Sequence, residues 1–455
     1  MSKSPISNLK MYDLVVLGTG TAGSTVATRC ALAGWRVAIV ESREPGGTCA
    51  LRGCDPKKVL VGAAEVVDAF TRLRGNGPDG SACIDWPALM AFKRTFTEPV
   101  PAKKVRDFES AGIELVRGAG RFVDRTAIEV EGRRLEARQV VVATGATPAP
   151  LGIAGAEHVL TSDDFLELDT LPSRIVFIGG GYISFEFAHL AARAGARATI
   201  LHRGDRPLEA FDGELVEKLV AHSRSLGIEI RTRAPVTRVS AAEKGVDVWA
   251  SGARGEERFA ADIVVHGGGR VPAIHDLALD AAGVAFTSKG ITLNEHLQSV
   301  TNPAVWAAGD ADGSGPALTP VAGHEARVVS TNLLEGPSTR PDYSVVPSAV
   351  FTLPILAKVG LLETEARSRA LDIDVHSGDM SGWYTSRRLA EPVAAFKTIT
   401  DARTGRLLGA HLLAGHAAET INLFALAMRA GLTAADVKQV LFAYPTAGSD
   451  VAYML

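Results

Sequence analysis

Apolar residues in this chain fall into short, sharply bounded runs, and several of those runs end in glycine. Tyr12–Leu17 ends in Gly18-Thr19-Gly20-Thr21-Ala22-Gly23, and is followed by a helical pattern to Leu32 and a second strand over Arg36–Val40. Ile175–Ile178 leads likewise into Gly179-Gly180-Gly181-Tyr182-Ile183-Ser184, a helical stretch to Ala194 and a strand over Ala198–Leu201. Each segment predicts a strand–helix–strand unit with a glycine turn at the helix entry. Two such units, far apart in the chain, argue for two separate dinucleotide sites rather than one divided site.

The same patterning predicts helices over Val59–Phe70 and Pro87–Ser110, antiparallel strands over Ile113–Leu135 and a buried strand over Gln139–Thr144. Ile263–Val265 is a strand ending in Gly267-Gly268-Gly269-Arg270. Val305–Ala308 is another, ending in Gly309-Asp310, and Thr319–Leu334 resumes a helical period. The Pro-rich passage Gly336–Pro347 reads as a linker. Beyond it lie strands at Val393–Thr400 and Leu407–Leu413, and helices at Ala417–Ala430 and Ala434–Leu441.

With 455 residues the chain is too long for one core, because single cores stop growing near ~250–300 residues. A hydrophobic share of 46% against 22% charged residues excludes a disordered chain. The formal net charge of -3 gives no field that would draw nucleic acid or an anionic membrane, so neither is an expected partner. No run approaches the ~20 apolar residues of a membrane-spanning helix. Met1–Lys10 lacks the apolar centre of a secretory signal, and a cytoplasmic protein is the expectation. Four cysteines are too few for a disulfide framework in such a length. Cys30 and Cys83, both isolated, are read as small core residues.

Glycines before a helix N-terminus let backbone N–H groups and the positive helix end meet a pyrophosphate. Gly18, Gly20 and Gly23 supply that turn, and Glu41 ends the second strand, where a carboxylate can accept both hydroxyls of an adenine ribose. The second turn keeps Gly179 and Gly181 but has Ser184 in the third glycine's place, and its second strand ends Leu201-His202-Arg203 with no acid. Arg203 suits a 2′-phosphate, which favours NADP(H) with NAD(H) as the alternative. Arg203 and Arg206 as plain solvated charges is the competing reading.

Shortly after Glu41 comes Gly46-Gly47-Thr48-Cys49-Ala50-Leu51-Arg52-Gly53-Cys54-Asp55-Pro56-Lys57-Lys58. The two thiols can close a disulfide if the first lies in an irregular helix entry, and Gly46, Gly47 and Gly53 give the backbone that freedom. No further thiol or histidine lies nearby to complete a metal site. This stretch resembles the Gly-Gly-Thr-Cys-x-x-x-x-Cys-x-Pro-Lys of the flavoprotein disulfide reductases, the group of glutathione reductase, lipoamide dehydrogenase and mercuric reductase, and the resemblance extends over essentially the whole chain.

The resemblance implies an α/β protein with two Rossmann-like domains, binding FAD over 11–151 and 271–340 and NADP over 152–270. A C-terminal α+β dimerisation domain over 341–455 and a homodimer are implied as well. Cys49 would be the interchange thiol that meets a small-molecule electron acceptor, Cys54 the thiol against the flavin, and Lys57 a flavin-facing cation paired with Glu186. Glu41-Ser42 matches the adenosine contact, Thr48 belongs to the FAD-binding stretch, and Ala143-Thr144-Gly145 matches the return of the chain past FAD. Gly309-Asp310 matches the ribityl-binding acid, and Leu318-Thr319-Pro320 the turn that faces the flavin pyrimidine. Gly179, Gly181, Tyr182 and Ile183 match the nicotinamide-nucleotide turn, with Tyr182 as the ring that covers the flavin. Arg203 matches one arginine of the NADPH pocket while Glu209 stands where the second is expected; Arg270 completes the cofactor-binding set.

The C-terminal motif departs. Where disulfide-reducing members carry His-Pro-Thr-x-x-Glu, this chain has Tyr444-Pro445-Thr446-Ala447-Gly448-Ser449-Asp450. A phenol, with an ordinary pKa near ~10, is a poor base at neutral pH. Asp450 is the acid left to orient Tyr444 or a water; packing of Tyr444 at a dimer interface is the competing reading. Three activities follow: a glutathione reductase-like disulfide reductase with an altered proton path, a reductase of quinone, metal ion or other acceptor, and a thiol-dependent carbon–sulfur cleaving or carboxylating enzyme. For the first, Arg327 is a candidate contact for a substrate carboxylate.

Overall fold

The computed structural model describes residues 11–252 and 255–455. Met1–Lys10, on which the absence of a secretory signal was read, lies outside them. The described chain divides into two compact units, one made of the chain up to Pro56, Arg94–Ala149 and Arg270–Tyr343, the other of Lys57–Lys93, Pro150–Gly269 and Ser344–Leu455.

The first unit is built on a sheet in which Glu114–Arg117, Val37–Glu41, Tyr12–Leu17, Arg133–Val142 and Val305–Ala307 run parallel. Val15, Val16, Val140 and Val305 are fully buried, as expected of strands covered on both faces. Gly120–Phe122 and Ala127–Val130 extend it antiparallel. The antiparallel reading of Ile113–Leu135 therefore holds only from Gly120 onward. Helix Thr21–Leu32 covers one face and is joined there by Thr319–Glu335, through Val26, Ala27, Ala326 and Val329.

The second unit has its own parallel sheet, in the order Glu229–Arg231, Arg197–Leu201, Arg174–Ile178, Ile263–His266. Helix Tyr182–Arg193 follows its third member and buries every residue from Ser184 to Ala191. Phe165 is the packing centre: it stacks on Phe187 at 4.3 Å and meets Trp86 and Phe177 edge-on. A five-stranded antiparallel sheet, Ser348–Val350, Ile355–Gly360, Leu407–Ala414, Ala395–Asp401, Ile373–Asp379, completes the unit. Its core carries Phe424 and Ile421 from the helix Ala417–Arg429.

Four local expectations are corrected. The helix expected over Val59–Phe70 runs from Cys54 to Leu73. Pro87–Ser110 is two helices, Trp86–Thr97 and Pro99–Ser110, because Pro99 has no N–H to continue the first and opens the second. The helix from Ala434 stops at Lys438, leaving Leu441 98% exposed. Cys30 is buried as expected, but Cys83 is exposed in a segment without regular structure.

Candidate active site

The two glycine turns repeat one geometry. Gly18 and Gly179 both have φ of +103°, and a Cβ would meet the carbonyl of Ala143 at 2.4 Å in one and of Gly267 at 2.5 Å in the other. Only glycine fits either place. At the first turn Glu41 Oε2 accepts from Thr19 N at 3.1 Å and Thr19 Oγ1 at 2.5 Å, while Oε1 accepts from Arg43 N at 2.9 Å. At the second turn the same backbone position, Gly180 N, donates to His202 Nδ1 at 3.1 Å. With Nδ1 accepting, the imidazole is neutral and its Nε2–H donates to Arg206 O at 3.0 Å. A histidine thus takes the place of the strand-end carboxylate, a role the sequence reading missed although His202 follows the strand as Glu41 ends the other. Arg206 folds back to donate to Glu209 O at 3.1 Å, while Arg203 stands exposed.

Around the first turn, Ser42 and Thr48 are exposed and Gly145 follows Thr144 with φ of +72°. Thr144 Oγ1 is buried and has no hydrogen-bond partner among the described residues. Burial raises the carboxyl of Asp310, and the Arg270 guanidinium opposes that rise. Arg270 donates to Ala146 O at 2.5 Å. An orphaned hydroxyl, a half-buried acid and a glycine cradle that is open at Gly20 and packed at Gly23, where a Cβ would lie 2.0 Å from Gly18 O, suit FAD. Behind them Glu325 Oε2 accepts from Gly309 N at 2.6 Å and Oε1 from the Tyr343 hydroxyl at 2.7 Å. Burial and the neighbouring Glu325 charge push Asp312 up to about 8.

The thiols sit where two helices meet. Cys49 is on the short helix Gly47–Arg52 and Cys54 opens the helix Cys54–Leu73, with Gly53 breaking the path between them. A Cβ on Gly53 would lie 2.9 Å from Thr48 O, and one on Gly47 would lie 2.4 Å from the Gly20 Cα. The cysteine loop therefore packs backbone to backbone against the pyrophosphate turn. Both residues are thiols here, Cys49 half-buried and Cys54 exposed. Cys54 Sγ and Thr319 Oγ1 are 3.5 Å apart, and Cys49 Sγ reaches Asp55 Oδ1 at 4.0 Å. The hydrogen bond with Cys54 raises the Cys49 thiol far above its usual range, and burial adds to the effect.

In the second unit Lys57 Nζ donates to Glu186 Oε1 at 3.0 Å, with the two side chains 11% and 4% exposed. Glu186 Oε1 also accepts from Phe351 N at 2.8 Å, and Lys57 Nζ lies 4.1 Å from the Phe351 ring centre. Phe351 lies far from either residue in sequence and carries no motif, so patterning alone could not find it. Tyr182 is 51% exposed at the start of its helix, beside Gly181 and Ile183.

Tyr444 is 81% exposed. Asp450, the acid left to orient Tyr444 or a water, is bound to the Thr385 hydroxyl, and burial raises its carboxyl. Ser449 Oγ donates to Thr446 O at 2.6 Å and so closes the turn. His411 is buried against Leu361 O, as a structural residue. Arg327 is exposed on the helix after Thr319.

Two dinucleotide turns, a close thiol pair and a buried lysine–glutamate pair define a flavin-dependent oxidoreductase of the nicotinamide–dithiol class. The family model described as pyridine nucleotide-disulphide oxidoreductase matches residues 12–326, and that family's dimerisation domain matches 346–454. Glutathione reductase of Burkholderia cepacia is 32% identical over 96% of this chain and 97% of its own length. Mercuric reductase of Lysinibacillus sphaericus is 31% identical over 96% of this chain and 80% of its own. The HOCl-induced flavoprotein disulfide reductase RclA from Escherichia coli superposes with a TM-score of 0.87 at 28% identity, covering 97% of this chain and 99% of that one. This chain belongs to the pyridine nucleotide-disulphide oxidoreductase family, whose members use FAD with NAD(P)H, and its C-terminal domain supports a homodimer. No helix among the described residues is long and apolar enough to cross a membrane.

Proposed function

We propose that this protein is an NADPH-dependent reductase that delivers electron pairs through the Cys49–Cys54 couple to a low-molecular-weight disulfide. FAD, when bound, supplies the chemistry that takes a hydride from the nicotinamide and passes the electron pair on to sulfur. The observation that carries the reading is the paired thiols beside Thr319, with the proton of the pair held on Cys49. The negative charge of the reduced pair then falls to Cys54. Cys49 gives up its proton as its sulfur attacks one sulfur of the substrate, and the first thiol leaves with that proton; the Cys54 thiolate then attacks Cys49 Sγ, releases the second thiolate and regenerates the Cys49–Cys54 disulfide. The reduced pair supplies one proton, which leaves with the first product thiol, and the second product leaves as a thiolate that takes its proton from water.

NADPH is the preferred donor in this reading. Neutral His202 in the carboxylate's place removes the anion that would repel a 2′-phosphate, and exposed Arg203 offers it a cation. Lys57 faces the flavin, Thr144, Gly309-Asp310 and Thr319 hold it, and the domain limits follow the sequence reading.

A second acceptor class, a metal ion or quinone, is favoured by the C-terminal turn. Asp450 is engaged by Thr385, and the exposed Tyr444 puts a phenol, a poor base, in the histidine's place. Relatives named as mercuric reductases agree with it. The test is a substrate panel under NADPH, with oxidised glutathione and other disulfides against quinones and metal ions, repeated in Tyr444→His. Disulfide turnover that rises at least ~10-fold in Tyr444→His supports the first reading, since a positioned base is worth ~10²–10⁴. Fast metal or quinone reduction with no disulfide gain supports the second.

A further inference from the structure

Phe351 meets the Lys57–Glu186 pair at both of its members. Its backbone N–H and the Lys57 ammonium donate to the same oxygen, Glu186 Oε1, at 2.8 and 3.0 Å. Its ring lies 4.1 Å from the same ammonium. Both charged groups are largely withdrawn from water, and a cation over an aromatic face is attracted most strongly when desolvated. An ammonium has three donors on a flexible stem, so a single bond to Oε1 leaves Nζ free to swing about that oxygen. The ring fixes a second direction and removes most of that freedom.

The ring's own place is not a free rotamer choice of an isolated loop. Two residues on, Leu353 N donates to His189 Nδ1 at 3.2 Å, and Leu353 O accepts from Arg193 NH2 at 3.1 Å. Arg193 is in turn held by Asp68 at 2.5 Å. Glu186, His189 and Arg193 share one face of the helix Tyr182–Arg193, so the 351–353 segment is fastened at three points along the helix that carries Glu186. Lys58 Nζ also comes within 4.8 Å of the ring, but Glu65 holds it at 2.5 Å and both are substantially exposed. Lys57 is the ammonium this arrangement fixes.

We propose that Phe351 is a positioning residue for the reductive step, setting the direction of the Lys57 ammonium through its ring and the Glu186 carboxylate through its N–H. The inference rests on the reading of Lys57 as the flavin-facing cation. Because the N–H survives each substitution used, a side-chain series isolates the ring. In the FAD-loaded protein, the two-electron midpoint potential of the flavin is measured by dye-equilibrated titration in Phe351→Leu, Phe351→Met, Phe351→Tyr, Phe351→Trp and Lys57→Met, together with FAD content and the rate of flavin reduction. Phe351→Leu and Phe351→Met should move the equilibrium about tenfold toward oxidised flavin, ~30 mV for a two-electron couple. The Tyr and Trp variants, which keep a π-face, should stay within about twofold of the parent. An unchanged potential in the Leu and Met variants, or an equal fall in all four, overturns the proposal. If Lys57→Met itself leaves the potential unmoved, the underlying reading of Lys57 fails; if it lowers the potential and the Leu and Met variants do not, the role of Phe351 alone fails.

Discussion

Glu186 takes two donors on a single oxygen while 4% exposed, so its charge serves the lysine and the backbone together. Glu186→Gln would leave the Lys57 ammonium buried without a counter-charge. Breaking one side of such a pair costs roughly 3 kcal/mol, and a lower melting temperature in the FAD-loaded variant is the expected outcome; an unchanged melting temperature would refute it. A second residue prediction concerns Asp312, held near 8 by burial and the Glu325 charge. Its unfolded pKa lies near ~3.9. Since the folded value is the higher one, its contribution to stability is full below the unfolded pKa and is lost as pH rises through the folded one. Stability should therefore fall between about pH 4 and pH 8, and Asp312→Asn should flatten that fall. Equal pH slopes in thermal unfolding of parent and variant would contradict the assignment.

At the scale of elements, the two glycine turns are the same construction with different strand ends, carboxylate in one and imidazole in the other. His202→Glu would restore an anion facing the 2′ position. Steady-state kinetics with both nicotinamides should show kcat/KM for NADPH falling at least ~10-fold while NADH is spared or gains, because like-charge juxtaposition costs several kcal/mol. Parallel losses for both nucleotides would count against the role given to His202. These turns were legible in the sequence because glycine spacing and strand patterning encode them locally. Helix ends were less so: Cys54–Leu73 begins before its apolar period does, and Pro99 divides a run whose periodicity continues through it. The cysteine pair and Lys57 announced themselves by motif, whereas Phe351 and the Thr385–Asp450 bond depend on residues brought together only by folding.

At the scale of the whole molecule, the two units each carry a sheet of parallel strands with a glycine turn, and the C-terminal stretch belongs to a dimerisation domain. Leu441 and Leu426, 98% and 67% exposed, lie in that domain. Sedimentation should find a dimer for the parent chain and a larger monomer fraction for the double variant Leu441→Asp, Leu426→Asp; an undiminished dimer would place the interface elsewhere. The proposed chemistry divides between the flavin-side thiol, Cys54, and the substrate-side thiol, Cys49. Its most direct measurement is anaerobic titration of the FAD-loaded protein with NADPH, followed by visible absorbance in the parent, Cys54→Ser and Cys49→Ser. A long-wavelength thiolate–flavin band is expected in the parent, persisting in Cys49→Ser and vanishing in Cys54→Ser. A band that survives in Cys54→Ser, or is lost only in Cys49→Ser, would contradict that division.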